Sequence, residues 1–402
     1  MENTNEKVVD TQDFAEDNVS KCNNAPKALL NDKPKRNAGI DLLRVLSMFM
    51  VVVLHVSGYQ NYSGTLQQFS LSWYLMSVLD CLIIVAVNCF GLITGYVNSG
   101  KKYNLKNIIN LWLQVVCICV LSTVAFYFIH PSTVTVKDII YSFLPVYSKQ
   151  YWYFSAYFLL FFFIPLLNII LRETNKKLLF AVLGMIGVLT GCLASLTKTD
   201  IFVLGSGYST IWLMYLYLLG GAIKKHGLCI RIKGKPIKPY WYLLGFFCVS
   251  LLNFAFAYIR IKLERNYAEA FIGNYNFILN TLSAVCLLLF FANLKVKSNK
   301  FISILGITSF GVYLIHEQHF IKQEFICGKF TFLQTLNPFV AILTIIGISI
   351  AIYVICTVIE YLRQLLFKLL RIPKFTAWIQ EKIENLYHKI GSKKSGNEAD
   401  NG

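Results

Sequence analysis

The first apolar stretch of the chain reads RNAGIDLLRVLSMFMVVVLHVSGY and carries Asp41, Arg44 and His55 among aliphatic residues. Ionisable side chains are costly in hydrocarbon and by default mark function. At 100° per residue, Arg44 and His55 come round to within about 20° of each other, and Asp41 to within about 40° of His55. All three therefore share one helix face. Eleven residues rise about 16 Å, which sets Arg44 near one membrane surface and His55 toward the other. A neutral imidazole can take the proton of a hydroxyl, and a guanidinium is shaped for phosphate. The plainer alternative is that Asp41 and Arg44 pair at i,i+3 as an interfacial anchor while His55 packs a helix contact.

Further residues of this kind recur along the chain. Lys101, Lys102 and Lys106 follow the second apolar stretch, as a phosphate clamp or as ordinary basic loop residues. His316 and Glu317 end the ninth stretch, LGITSFGVYLIHE, at a height similar to His55. They read as a general base with its carboxylate or as a wetted loop pair. Asp80, in the second stretch, is a weaker candidate of the same type. Trp152 and Tyr153 open the fourth stretch, where rings anchor at a membrane interface or face a sugar. Gly91 and Gly95 form a GxxxG that permits close helix packing, and Asn88 and Thr94 offer hydrogen bonds between helices. Pro165 is expected to break the fourth helix. The eleven cysteines include no CxxC pair, so neither a metal site nor a disulfide framework is expected.

The elements that carry these residues are apolar. Hydrophobic residues make up 56% of the 402 and charged ones 15%, against about 45–50% and 25% in soluble domains. A simple soluble enzyme is excluded, and the net charge of +17 reads as basic loops rather than a nucleic-acid surface. The fold class expected is an all-α polytopic membrane protein with about ten transmembrane helices. They fall near 40–58, 71–96, 107–129, 151–171, 178–196, 207–223, 240–259, 275–293, 301–320 and 337–360. Residues 1–36 read as a disordered tail, 37–360 as the transmembrane domain, and 361–402 as an amphipathic surface helix and tail. Lys and Arg divide 29 to 8 between the two sides, which predicts both termini in the cytoplasm.

The ordered set Arg44-x10-His55, NCFGLITGY, YWYFSAYFLLFFFIPLLN and TSFGVYLIHE resembles membrane-bound acyltransferase family 3, over about residues 37 to 370. The flavour is similar to its surface-polysaccharide O-acetyltransferase branch in Gram-positive bacteria. Many members place an R-x-x-R pair after the second span, where this chain has Lys101, Lys102 and Lys106. The resemblance implies a multi-pass cell-membrane enzyme that moves acetyl from cytoplasmic acetyl-CoA to a hydroxyl of a cell-surface or lipid-linked glycan. His55, Asp41, His316 and Glu317 would then be catalytic. Arg44, Lys101, Lys102 and Lys106 would hold the CoA phosphates, and Trp152 and Tyr153 would line the acceptor side. The expected partners are the glycan and membrane lipids, with no metal and no nucleic acid. Two other classes compete: a flippase for a lipid-linked sugar, which should show inverted repeats, and a membrane sensor domain.

Overall fold

The computed structural model describes residues 37–193, 200–227, 231–232, 235–264 and 274–399. The segment 1–36, expected as a tail, lies outside the described residues. The described chain is helical apart from loops and one short ribbon, which pairs Arg231 with Pro236 and Ile232 with Lys235. In order the helices are α1 (Ala38–Gly58), α2 (Tyr62–Thr65), α3 (Leu71–Ile83), α4 (Ala86–Asn98), α5 (Leu105–Ile129), α6 (Val136–Phe143), α7 (Trp152–Glu173) and α8 (Lys176–Val188). There follow α9 (Thr210–His226), α10 (Pro239–Glu264), α11 (Ile278–Asn293), α12 (Lys300–His316), α13 (His319–Phe325), α14 (Pro338–Leu369) and α15 (Ile372–Ala399).

Each expected apolar stretch is occupied by helix, but the stretches differ in reach. Among the described residues, six segments are long and apolar enough to cross a membrane: Ala38–Gly58, Leu71–Asn98, Leu105–Ile129, Trp152–Glu173, Pro239–Leu263 and Pro338–Leu369. The other four stretches form the shorter helices α8, α9, α11 and α12. The second stretch is interrupted at Ile84 and Val85, between α3 and α4. Short polar residues mark where helices begin. Ser70, Asn104, Asn175, Ser209, Asn299 and Asn337 each accept a hydrogen bond from a backbone N–H two or three residues on. That satisfies one of the donors a helix start leaves open. Pro165 does not break its helix, because α7 runs through it from Trp152 to Glu173. In a membrane bundle, neighbouring helices and local adjustment satisfy the backbone group that proline frees.

Helix α1 is the central element. It packs against α3, α4, α11, α12 and α14. Of its apolar window 61% is buried, and of the α3–α4 segment 72%, against 28% for α14, so these lie inside while α14 is peripheral. At the seam between α4 and α9 the two backbones come close. A methyl group on Gly95 would collide with the Tyr217 carbonyl, and one on Gly220 with the Leu92 carbonyl. The GxxxG of α4 thus meets a glycine on its partner, and Gly91 lies against Leu216. Above the seam, Asn88 donates to the Tyr275 carbonyl (2.8 Å) and accepts from the Trp212 indole (3.1 Å). Thr94 bonds the Phe90 carbonyl of its own helix (2.8 Å). Gly220→Ala is expected to part α4 from α9 and cost about 1–3 kcal/mol. A thermal unfolding midpoint in detergent equal to wild type would refute this.

At the C-terminal end, α14 runs to Leu369, and Arg371 (φ 54°) turns the chain into α15. Phe375, Trp378 and Ile383 of α15 are exposed. Its Gln380 accepts from the Lys106 backbone N–H (3.0 Å) and so docks α15 on the start of α5.

Candidate active site

His55 stands in the last turn of α1, and His316 is the last residue of α12. These helices lie side by side, so two histidines 261 positions apart meet. His55 Nδ1 lies 2.8 Å from His316 Nε2 and 3.0 Å from Glu317 Oε1. The solvated-loop alternative for His316 and Glu317 therefore does not hold: His316 is 1% exposed and Glu317 is buried.

The partners assign the ring protons. His316 Nδ1 sits 2.6 Å from the Val312 carbonyl, one turn back in its own helix. A carbonyl only accepts, so His316 Nδ1 carries the hydrogen and its Nε2 offers a lone pair. His55 Nδ1 must then donate, with both His316 Nε2 and Glu317 Oε1 in reach. In the neutral ring this leaves His55 Nε2 as a lone pair, and no partner for it appears among the described residues. The side chain of His55 is 24% exposed. The ring is thus part-exposed, and its tautomer is fixed by the partners of Nδ1.

Two more residues hold the carboxylate. The Tyr59 hydroxyl donates to Glu317 Oε1 (2.5 Å), and Lys322 Nζ lies 3.3 Å from Oε2. Burial first, and then the Glu317 charge, push the Tyr59 phenol well above its usual range, so it stays a donor. Tyr59 also stacks on the His55 ring at 5.3 Å. Sequence reading missed Tyr59 and Lys322. Tyr59 sits four residues after His55, one helical turn on, and that spacing was a usable signal.

Asp41 is not in this group. It lies fourteen residues from His55 on the same helix, about 21 Å by rise, and takes Arg44 Nη1 on its Oδ1 at 2.6 Å. Asp41 is buried against Gly306 of α12. Arg44 is also a charged neighbour of Lys101 and of Tyr157.

Lys101 opens the second part of the site. A cavity of about 790 Å³ is lined by Lys101, Lys102, Arg172, Lys224, Lys225 and Asn168, among others. None of its described lining residues is acidic. Lys225 Nζ donates to the Leu171 and Arg172 carbonyls at the end of α7 (2.6 and 3.0 Å). Burial, then Lys224 and then Arg44 push Lys101 below the usual lysine range. Crowded cations of this kind favour an anion. Lys224 and Lys225 were not singled out from sequence, because loop counting gives the side of a charge and not its neighbours. Lys106 lies apart from this cavity, at the capped start of α5.

Rings connect the two parts. From Arg44 the series runs Tyr157, Tyr153 (6.5 Å between rings), Tyr313 (6.3 Å) and His316 (6.2 Å). A narrow cleft of about 40 Å³ touches the middle of this series, walled by Met48, Val51, Leu54, Phe90, Tyr153 and Tyr313. Trp152 also lines it, with Tyr208 and Tyr275 packed on its indole at 4.5 and 5.9 Å.

The profile of an acyltransferase domain family, acyltransferase 3, matches residues 37–361. The chain belongs to that family. The match spans every helix from α1 well into α14, and so contains His55, His316, Glu317, Arg44 and the basic cavity. A comparison with curated proteins finds no match, and neither does one with solved structures. The apolar helices and the family together make this a membrane acyltransferase. Within it, the site has a base at one end of α1 and a cation-lined cavity at the other.

Proposed function

We propose that the protein is an O-acetyltransferase that moves an acetyl group from acetyl-CoA to a hydroxyl of a glycan. The observation that carries the reading is the fixed tautomer of His55, which leaves Nε2 as an unprotonated base. The phosphates of the donor would lie among Lys101, Lys102, Lys224 and Arg44 on the cytoplasmic side. Asp41 serves by orienting Arg44, and Lys106 adds charge from the start of α5. The pantetheine arm would run along the ring series from Arg44 toward His55, past the apolar cleft at Tyr153 and Tyr313, and the acceptor would enter from the outer face past Trp152 and Tyr153.

In the transfer step His55 Nε2 takes the proton of the acceptor hydroxyl as its oxygen bonds to the thioester carbonyl carbon. The carbon–sulfur bond breaks, the electron pair leaves on sulfur, and the imidazolium returns its proton to the thiolate. Glu317 Oε1 beside Nδ1 stabilises the imidazolium, as the carboxylate does in a catalytic triad. An acetyl-histidine intermediate would form on the same nitrogen. The reading is tested by mass spectrometry of surface glycans from cells with and without the intact gene. Loss of O-acetyl groups on deletion is expected, and unchanged acetylation would contradict it.

One observation favours a second reading. His55, His316 and Glu317 bring three potential metal-ligand atoms within 4.8 Å of one another. Tetrahedral zinc with bonds of about 2.0–2.1 Å holds its ligands about 3.3 Å apart. The 2.8 and 3.0 Å separations here suit a shared proton better. Activity is therefore expected to survive dialysis against a chelator. Loss on chelation with recovery on adding zinc would establish the metal instead.

A further inference from the structure

A second cavity opens beside the site and plays no part in the transfer step. It measures about 370 Å³ and lies among the loop after α1, α2, α3 and the end of α10. That is within the range of small-molecule sites, about 300–1,000 Å³. Its wall combines Asp80, Ser63, Asn61 and Gln68 with the indole-bearing Trp73. Leu54 is common to this cavity and to the apolar cleft beside Tyr313, and Leu54 is the residue before His55.

Asp80 is the unusual member. It sits nine residues into α3, about 14 Å from the helix start, in a segment otherwise suited to span a membrane. A carboxylate at that depth needs a protein partner or a water-filled cavity. Among the described residues its hydrogen-bond partner is the exposed Ser63 hydroxyl, which donates to Oδ2 at 3.2 Å. No ion pair involves it among the described residues. Its other oxygen, Oδ1, accepts nothing from them. The rest of the polar wall is neutral: the amides of Asn61 and Gln68 can donate and accept, and the hydroxyl of Ser63 can do both. A carboxylate with a free acceptor, amides at the rim and an aromatic ring in the wall form the surroundings that suit a neutral polyol. Neighbouring hydroxyls each donate to a carboxylate oxygen, and such charge-assisted bonds are the stronger kind.

We propose that this cavity is a carbohydrate subsite. Asp80 accepts hydrogen bonds from two adjacent hydroxyls of one sugar unit, while a different unit of the same chain presents its hydroxyl to His55. The subsite rests on the glycan reading above and deepens it, by giving the acceptor at least two contact points and requiring a vicinal diol in one of them.

The test uses the full-length protein in nanodiscs. The probe is surface-glycan oligosaccharide from cells lacking the gene, either intact or opened with periodate, which cleaves vicinal diols. Wild type is expected to bind the intact probe. Periodate-opened probe should bind at least about tenfold more weakly, and Asp80→Asn should weaken the intact probe to a similar degree. Acetyl-CoA binding by Asp80→Asn should equal wild type, which shows that the variant is folded. Equal binding of the probe by Asp80→Asn, or of the periodate-opened probe by wild type, would overturn the subsite while leaving the transferase reading intact. Displacement of the probe by ethanolamine would show that Asp80 holds a cation, and would also overturn it. If wild type bound no probe and cells carried no acetylated glycan, the glycan reading itself would fall, and the subsite with it.

Discussion

His55→Ala is expected to lower acyl transfer by about 10²–10⁴-fold, the usual contribution of a positioned general base. Abundance in the membrane should change little, because the ring is part-exposed and its loss leaves no large void. Glu317→Gln is the sharper variant. A glutamine amide can donate where the carboxylate only accepts. Placed 3.0 Å from His55 Nδ1, it carries no charge to stabilise the imidazolium, so the base is weakened without loss of the ring. A drop of comparable size is therefore expected from one changed atom. His316→Ala removes one of the two acceptors of the His55 Nδ1–H and should cost less than Glu317→Gln. Initial rates of CoA release at saturating acetyl-CoA give all three numbers. Rates within a few-fold of wild type for His55→Ala would remove His55 from the mechanism.

Reversing the charge of the basic cavity should have the next largest effect. Lys101→Glu with Lys224→Glu is expected to weaken acetyl-CoA binding by well over a hundredfold. Each charge-assisted contact to phosphate contributes about 1.5–3 kcal/mol, or roughly 10- to 150-fold, and the new carboxylates also repel. Arg44→Lys keeps the charge but not the two-pronged fit to phosphate, so it should weaken binding by a smaller factor. Binding should also fall with rising pH sooner than an ordinary lysine would dictate. Lys101 is held below the usual lysine range and loses its positive charge earlier. His316→Ala and Glu317→Gln, at the other end of α1, should bind acetyl-CoA as wild type does. If His316→Ala lost CoA binding while the double reversal kept it, the polarity assigned to the site would be inverted.

The part of this site that lies on one helix was legible from spacing. Arg44 and His55 follow from helical periodicity, and Asp41 pairs with Arg44 at i,i+3 as the plainer alternative had it. Matching heights at the ends of two spans pointed to His316 and Glu317 as neighbours of His55. Their contact itself was not legible, because it depends on α12 lying beside α1 and on the register of the two. The same limit hid Lys224 and Lys225, which reach Lys101 only because Gly95 and Gly220 let α4 and α9 approach so closely. The interruption at Ile84 and Val85 left no mark in hydropathy, since both residues are apolar and both are buried. Pro165 misled in the other direction: a rule drawn from helices in water overstates what proline does inside a packed membrane bundle.

The central claim is that His55 Nε2 is the base that moves the acyl group from CoA to a glycan hydroxyl. It is tested most directly with purified protein in proteoliposomes, given acetyl-CoA labelled in the acetyl group on the cytoplasmic side and glycan oligosaccharide on the other. Wild type is predicted to place label on the glycan. His55→Ala is predicted to bind acetyl-CoA with unchanged affinity and to place about a hundredth of the label or less. Label transfer by His55→Ala at the wild-type rate, with acetyl-CoA binding intact, would contradict the account.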